Sequence, residues 1–154
     1  MTFAIVLALI LVVSTFAFHQ RMMLWLGHRV PPLAVGAELK LLLIVVALYA
    51  AHVVEISAYA LVYAWAGDQL ELGVFQGQEV THPMSYLYYS GVVYTSLGFG
   101  DIYPEGHLRF ITAMEALNGL MLITWSASFT FLAMGRLWPT WSCSDAAQRG
   151  KELG

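Results

Sequence analysis

Apolar residues fall in three long blocks, with polar residues gathered between them. The first block, Phe3 to Phe18 (FAIVLALILVVSTFAF), is slightly short for a bilayer crossing and lengthens if it continues through MMLWLG. The second runs from Leu39 to Ala66 and the third from Leu108 to Leu137. About 20 apolar residues at 1.5 Å rise cross the hydrocarbon, so the pattern predicts three transmembrane helices. A fourth stretch, Pro83 to Thr95 (PMSYLYYSGVVYT), is too short to span and predicts a re-entrant helix. Pro83 suits its first turn, where an N–H is not needed.

Composition strengthens this picture. Of 154 residues, 59% are hydrophobic and 11% charged, far from the quarter typical of soluble domains. The net charge of -3 argues against nucleic acid as a partner. The single cysteine, Cys143, cannot form an intrachain disulfide and reads as an inert thiol. The segment His19 to Lys40 carries Arg21, Arg29 and Lys40 against Glu38, whereas Gly67 to His82 carries Asp68, Glu71 and Glu79 with no Lys or Arg. Basic connections stay cytoplasmic, which places the N-terminus outside and the tail from Arg136 inside. No Lys or Arg precedes Arg21, so the first block is read as a span in preference to a signal peptide. Trp25, Tyr63, Trp65, Trp138 and Trp141 suit headgroup belts, and His19 and His28 are expected to be solvated or interfacial.

Between the short helix and the third span lies TSLGFGD, Thr95 to Asp101. Non-helical backbone at membrane depth survives only where protein buries it or water reaches it. Gly98 and Gly100 alternate with larger residues, and glycine tolerates positive φ. Alternating backbone hands turn successive carbonyls to one side, where a stack of oxygens can replace the water around a dehydrated cation. The negative C-terminal end of the short helix favours a cation at the same place.

At these residues the chain resembles the potassium-channel pore module, whose filter reads Thr-Val-Gly-Tyr-Gly-Asp. Thr95 is the leading threonine, Ser96 takes the hydroxyl position, Leu97 replaces valine, Phe99 replaces tyrosine, and Gly98, Gly100 and Asp101 match. The following DIYP, Asp101 to Pro104, is similar to the family's exit from the filter. The resemblance covers about Leu39 to Arg136. It implies an outer helix, a re-entrant pore helix, a selectivity-filter loop and an inner helix, four copies closing a homotetramer; with the first span, the role of which is open, the fold class is an all-α membrane protein with three transmembrane helices. It implies a pore domain over 39–137, flanked by an additional helix and basic loop over 1–38 and a short tail over 138–154. Ion binding falls to Thr95, Ser96, Leu97, Gly98, Phe99 and Gly100, with K+ coordinated by the carbonyls of Ser96, Leu97, Gly98 and Phe99. Tyr88 and Tyr89 stand where the family often has tryptophans, Val92 where some members carry an acid, and Tyr89 is the expected partner of Asp101. Gly119 stands where the family has a hinge glycine, although close helix packing explains a glycine there equally well.

Within the spans sit His52, Glu55, Glu115 and Asn118. Ionisable residues there are costly and point to function. His52 and Glu55 are three apart and share a helix face, as do Glu115 and Asn118. His52 or Glu55 is expected to bond Glu115, Asn118 or the rear of the pore helix as a structural clamp behind the filter, with pH-dependent gating as the other reading. Thr124, Ser126, Ser128 and Thr130 face cavity water or bond back to their own helix. No Arg or Lys series marks a voltage sensor, and no cofactor or enzyme constellation appears. K+ is expected as the permeant ion, the bilayer as the partner, and accessory subunits stay open. Two other readings stay open: a weakly selective cation channel, and a non-conducting structural or regulatory subunit with a pore-like fold.

Overall fold

The structure is a computed structural model that describes residues 1–69, 72–78, 80 and 82–138, with the side chains of 67–69 left aside. Trp141 and Cys143 lie outside the described residues, as does the tail beyond Trp138. Four helices and two short strands follow in the order α1 (Thr2–Arg29), α2 (Ala37–Gln69), β1 (Phe75–Gly77), α3 (Pro83–Tyr94), β2 (Ile102–Pro104) and α4 (Leu108–Leu137). The first apolar block therefore does not stop at Phe18; one helix runs unbroken to Arg29 and takes in His19 and Arg21. Pro31 and Pro32 follow it, and neither has the N–H needed to carry the helical ladder past Val30. α3 carries Pro83 in its first turn, as expected.

Three helices, α1, α2 and α4, are long and apolar enough to cross a membrane. Only 22–28% of each apolar window is buried within the chain, so most of the apolar surface faces outward. Surface of that extent needs lipid or another copy to cover it. The buried residues of α1 recur every three or four positions: Ala4, Ala8, Leu11, Thr15, His19, Met23 and Leu26. That spacing is one helical stripe. Its first half joins Tyr59, Tyr63, Tyr89, Val93, Leu108 and Ile111 in a core around α3. Its second half joins Ile44 and Leu48 in a separate core at the opposite end.

The strands, absent from the sequence reading, pair antiparallel with Gln76 opposite Tyr103 and close the connections on either side of α3. Phe75 anchors them, edge-on to Tyr89 at 4.9 Å and Tyr86 at 5.7 Å between ring centroids.

Candidate ion-conduction site

The segment after α3 begins as a continuation of the helix. Thr95 caps it with its hydroxyl 2.8 Å from the Gly91 carbonyl. The Ser96 and Leu97 amides then donate back to Val93 and Val92, at 2.8 and 3.0 Å. From there every second residue enters the left-handed region: Ser96 at φ 58°, Gly98 at φ 56° and Gly100 at φ 77°. Glycine takes this conformation without cost, whereas Ser96 takes it against a steric penalty. Leu97 and Phe99 project outward, 62% and 65% exposed.

Asp101 closes the segment. Its carboxylate accepts the Tyr88 hydroxyl at 2.8 Å and the Ile102 amide at 3.1 Å. Its carbonyl accepts the Gln78 amide at 2.8 Å. The expected partner, Tyr89, is elsewhere: its hydroxyl meets Thr112 of α4 at 2.8 Å. Successive helical residues point about 100° apart, so Tyr88 faces the glycine segment while Tyr89 turns into the core. The hydrogen bond to Asp101 raises the Tyr88 phenol above its ordinary value.

Behind α3 lie two buried polar clusters. In the first, Glu115 accepts hydrogen bonds from Tyr63 and from Ser90 of α3. Tyr63 is thus fully buried in that cluster and does not sit in a headgroup belt. Asn118 stands apart, donating to Thr15 and Tyr59 at 2.9 and 3.0 Å. In the second cluster, Tyr94 at the end of α3 donates to Glu55, and its oxygen is 2.9 Å from His52 Nδ1. His52 and Glu55 therefore meet the rear of α3 and not Glu115 or Asn118. Glu55 also takes His52 Nδ1 at 3.2 Å and His19 Nδ1 at 2.8 Å. The far nitrogens of both rings converge on Ser126 Oγ, at 2.9 Å from His19 and 3.0 Å from His52.

His19 is thus fully buried in a span and not interfacial, while His28 is exposed and bonds the Leu24 carbonyl. A signal for His19 exists in the sequence, because it continues the stripe Ala4, Ala8, Leu11, Thr15. Tyr94 gives a weaker one, as the last aromatic before the glycine segment. Of the four hydroxyls between Thr124 and Thr130, those of Thr124, Ser128 and Thr130 bond back to their own helix, and Ser126 alone reaches the histidines.

His19, His52 and Glu55 present one donor atom each within 4.8 Å of one another, a set that suits a metal ion. Each of those side chains also lies within hydrogen-bond distance of another member of the cluster. Gly119 lies inside the unbroken helix α4, and a Cβ there would stand 2.1 Å from the Tyr94 carbonyl oxygen. Its missing side chain lets α4 pass against the end of α3.

A family model described as "Ion channel" matches residues 42–136, and the chain belongs to that family. It is also similar to "Uncharacterized membrane protein YdjJ" of Bacillus subtilis (strain 168), 34% identical over 74 residues. That match covers 47% of the chain, and the chain spans about a fifth of the relative's length. No solved structure matches. Family and spans together make this a membrane protein of the ion-channel class.

Proposed function

We propose that the chain is one subunit of a homotetrameric potassium channel that conducts passively through a carbonyl-lined filter. The observation that carries this is the left-handed backbone at every second residue, Ser96, Gly98 and Gly100, starting at the end of a helix too short to span. Such alternation aims consecutive carbonyls to one side, and a ring of them can take the place of an ion's water shell. In this reading α3 is the re-entrant pore helix, residues 95–100 are the filter, and K+ lies between the carbonyls of Ser96, Leu97, Gly98 and Phe99. Cyclic symmetry then buries Leu97, Phe99 and much of the outward apolar surface against neighbouring copies. The N-terminus is outside and the tail cytoplasmic, in a plasma (inner) membrane. Proteoliposomes loaded with K+ test this: the wild type releases K+ on addition of an ionophore for protons, and Gly98→Ala, which sets a side chain at φ 56° against a steric penalty, does not. Equal release from both, or a mass other than four copies in detergent, would sink the proposal.

Phe99 favours a second reading. It has no hydroxyl with which to tie the filter back to α3, which leaves Thr95–Gly91 at one end of the segment and Tyr88–Asp101 at the other as side-chain ties. A filter held so lightly would pass cations with weak preference.

A further inference from the structure

The four helices send polar side chains to one place behind α3, and three of those side chains are of the kinds that ligate transition metals. His19 comes from α1, and His52 and Glu55 come from α2. One donor atom from each lies within 4.8 Å of the other two. His19 Nδ1 is 2.8 Å from Glu55 Oε1, and His52 Nδ1 is 3.2 Å from Glu55 Oε2. Ligands about 2.0–2.1 Å from a tetrahedral zinc ion stand about 3.3 Å from one another. Seating an ion among these atoms therefore opens the two measured pairs by about half an ångström or less. His52 and Glu55 also share a helix face at a spacing of three, the spacing with which helical bundles hold metal ions.

The surroundings of the three supply what such ligands need. A ligating histidine donates from its other nitrogen to a fixed acceptor, and a ligating carboxylate takes a hydrogen bond of its own. His19 Nε2 and His52 Nε2 both meet Ser126 Oγ of α4, at 2.9 and 3.0 Å. With an ion on both Nδ1 atoms each Nε2 carries the hydrogen, and the two lone pairs of the Ser126 oxygen accept both. Tyr94 of α3 donates to Glu55 and fixes the carboxylate. The His19 and Glu55 side chains have no exposed surface, whereas that of His52 is 16% exposed beside an open cavity of about 210 Å³. Three protein ligands leave a fourth position for water, and the cavity gives the ion and the water a way in.

We propose that His19, His52 and Glu55 bind one divalent transition-metal ion of the zinc class, with Ser126 and Tyr94 as positioning residues. Two imidazoles with one carboxylate suit such an ion better than Mg2+ or Ca2+, which take oxygen ligands. The ion ties α1, which lies outside the residues matched by the family, 42–136, to α2 within them. The tie reaches Tyr94, which directly precedes Thr95 of the glycine segment. The site does not rest on the channel reading, because the ion is counted directly and not through flux.

The test uses full-length protein in detergent, purified without a histidine tag, loaded with Zn2+ and passed through gel filtration. Elemental analysis should find about one zinc per chain. Co2+ in place of Zn2+ should give the intense visible absorption of a four-coordinate site. His19→Gln, His52→Gln and Glu55→Gln keep a polar side chain in each place, and each should abolish both signals while eluting as the wild type does. Ser126→Ala should weaken the affinity by about 10- to 100-fold, measured by competition with a chelator. The Met1 amine, 3.3 Å from His107 Nε2, is a competing surface site for an ion, so His107→Ala should leave zinc content and the Co2+ spectrum unchanged. A wild type that retains no zinc, a weak six-coordinate Co2+ spectrum, or zinc held at wild-type affinity in His19→Gln and Glu55→Gln would overturn the proposal. Where a ligand variant fails to fold, the wild-type Co2+ spectrum and Ser126→Ala decide: a four-coordinate spectrum with weakened Ser126→Ala binding supports the site, and unchanged Ser126→Ala binding overturns it.

Discussion

Replacing Gly119 with alanine separates two physical roles for that glycine, because they predict opposite signs. An alanine in the middle of a helix ordinarily gains about 1 kcal/mol over glycine. At Gly119 the new methyl would stand 2.1 Å from the Tyr94 carbonyl oxygen and 2.9 Å from the Tyr94 carbonyl carbon and ring Cγ. Two of those three atoms are backbone at the end of α3, which cannot swing aside as a side-chain tip does. Ordinary contact requires α3 and α4 to part by about 1 Å, and overpacking of this kind costs about 1–3 kcal/mol. The tightness of the contact puts the cost at the upper end, so the net effect is a loss of about 1–2 kcal/mol. Gly135 supplies the control in the same helix: a Cβ there meets nothing within 4 Å, so Gly135→Ala should stabilise by up to about 1 kcal/mol. Thermal unfolding in one detergent, followed by tryptophan fluorescence, compares the two. Because the displaced atom belongs to Tyr94, Gly119→Ala should also weaken the preference for K+ over Na+ in flux, and Gly135→Ala should not. A Gly119→Ala protein as stable as Gly135→Ala would refute the close-approach account and leave the hinge role as the reason for the glycine.

The other predictions concern the groups around α3. Glu115→Ala removes the acceptor from Tyr63 and Ser90 and should cost about 2–4 kcal/mol in the same unfolding assay; Glu115→Gln, which keeps an acceptor oxygen, should recover part of it, and equal losses would count against the hydrogen bonds. Tyr88→Phe removes the tie to Asp101 and should hasten the decay of current during sustained conduction, with expression unchanged. The Tyr88 phenol is raised above 10.0 by that bond, so the tie is present below the ordinary phenol pKa and is lost only as pH climbs through the higher folded value. Ultraviolet titration of the wild type against Tyr88→Phe should show one late-titrating tyrosine missing from the variant.

The three spans were legible because twenty or so apolar residues have few other uses, and the third was placed at Leu108 to Leu137 from hydropathy alone. The first was placed at Phe3 to Phe18 with a continuation through MMLWLG left open, because His19, Gln20 and Arg21 interrupt the apolar run. In the structure Thr15 and His19 lie on the buried stripe, where a hydroxyl can bond back to Leu11 and an imidazole can find a carboxylate. Sequence spacing within one helix showed that His52 and Glu55 share a face, but it carries no information about a helix 36 residues away. The same limit hid Ser126, which looked like its neighbours Thr124, Ser128 and Thr130 until the packing of α1 and α4 set it apart. Tyr88 and Tyr89 show how fine the resolution must be: one position along α3 turns a contact with Asp101 into a core contact. The two strands escaped notice because three residues carry too little periodicity to announce a strand.

The central claim, that residues 95–100 form a potassium filter, is tested most directly by the reversal potential of the purified protein in a planar bilayer, with KCl on one side and NaCl on the other. The account predicts a shift toward the K+ equilibrium potential that Gly98→Ala abolishes. A reversal near zero, or a shifted reversal that survives Gly98→Ala, would contradict it.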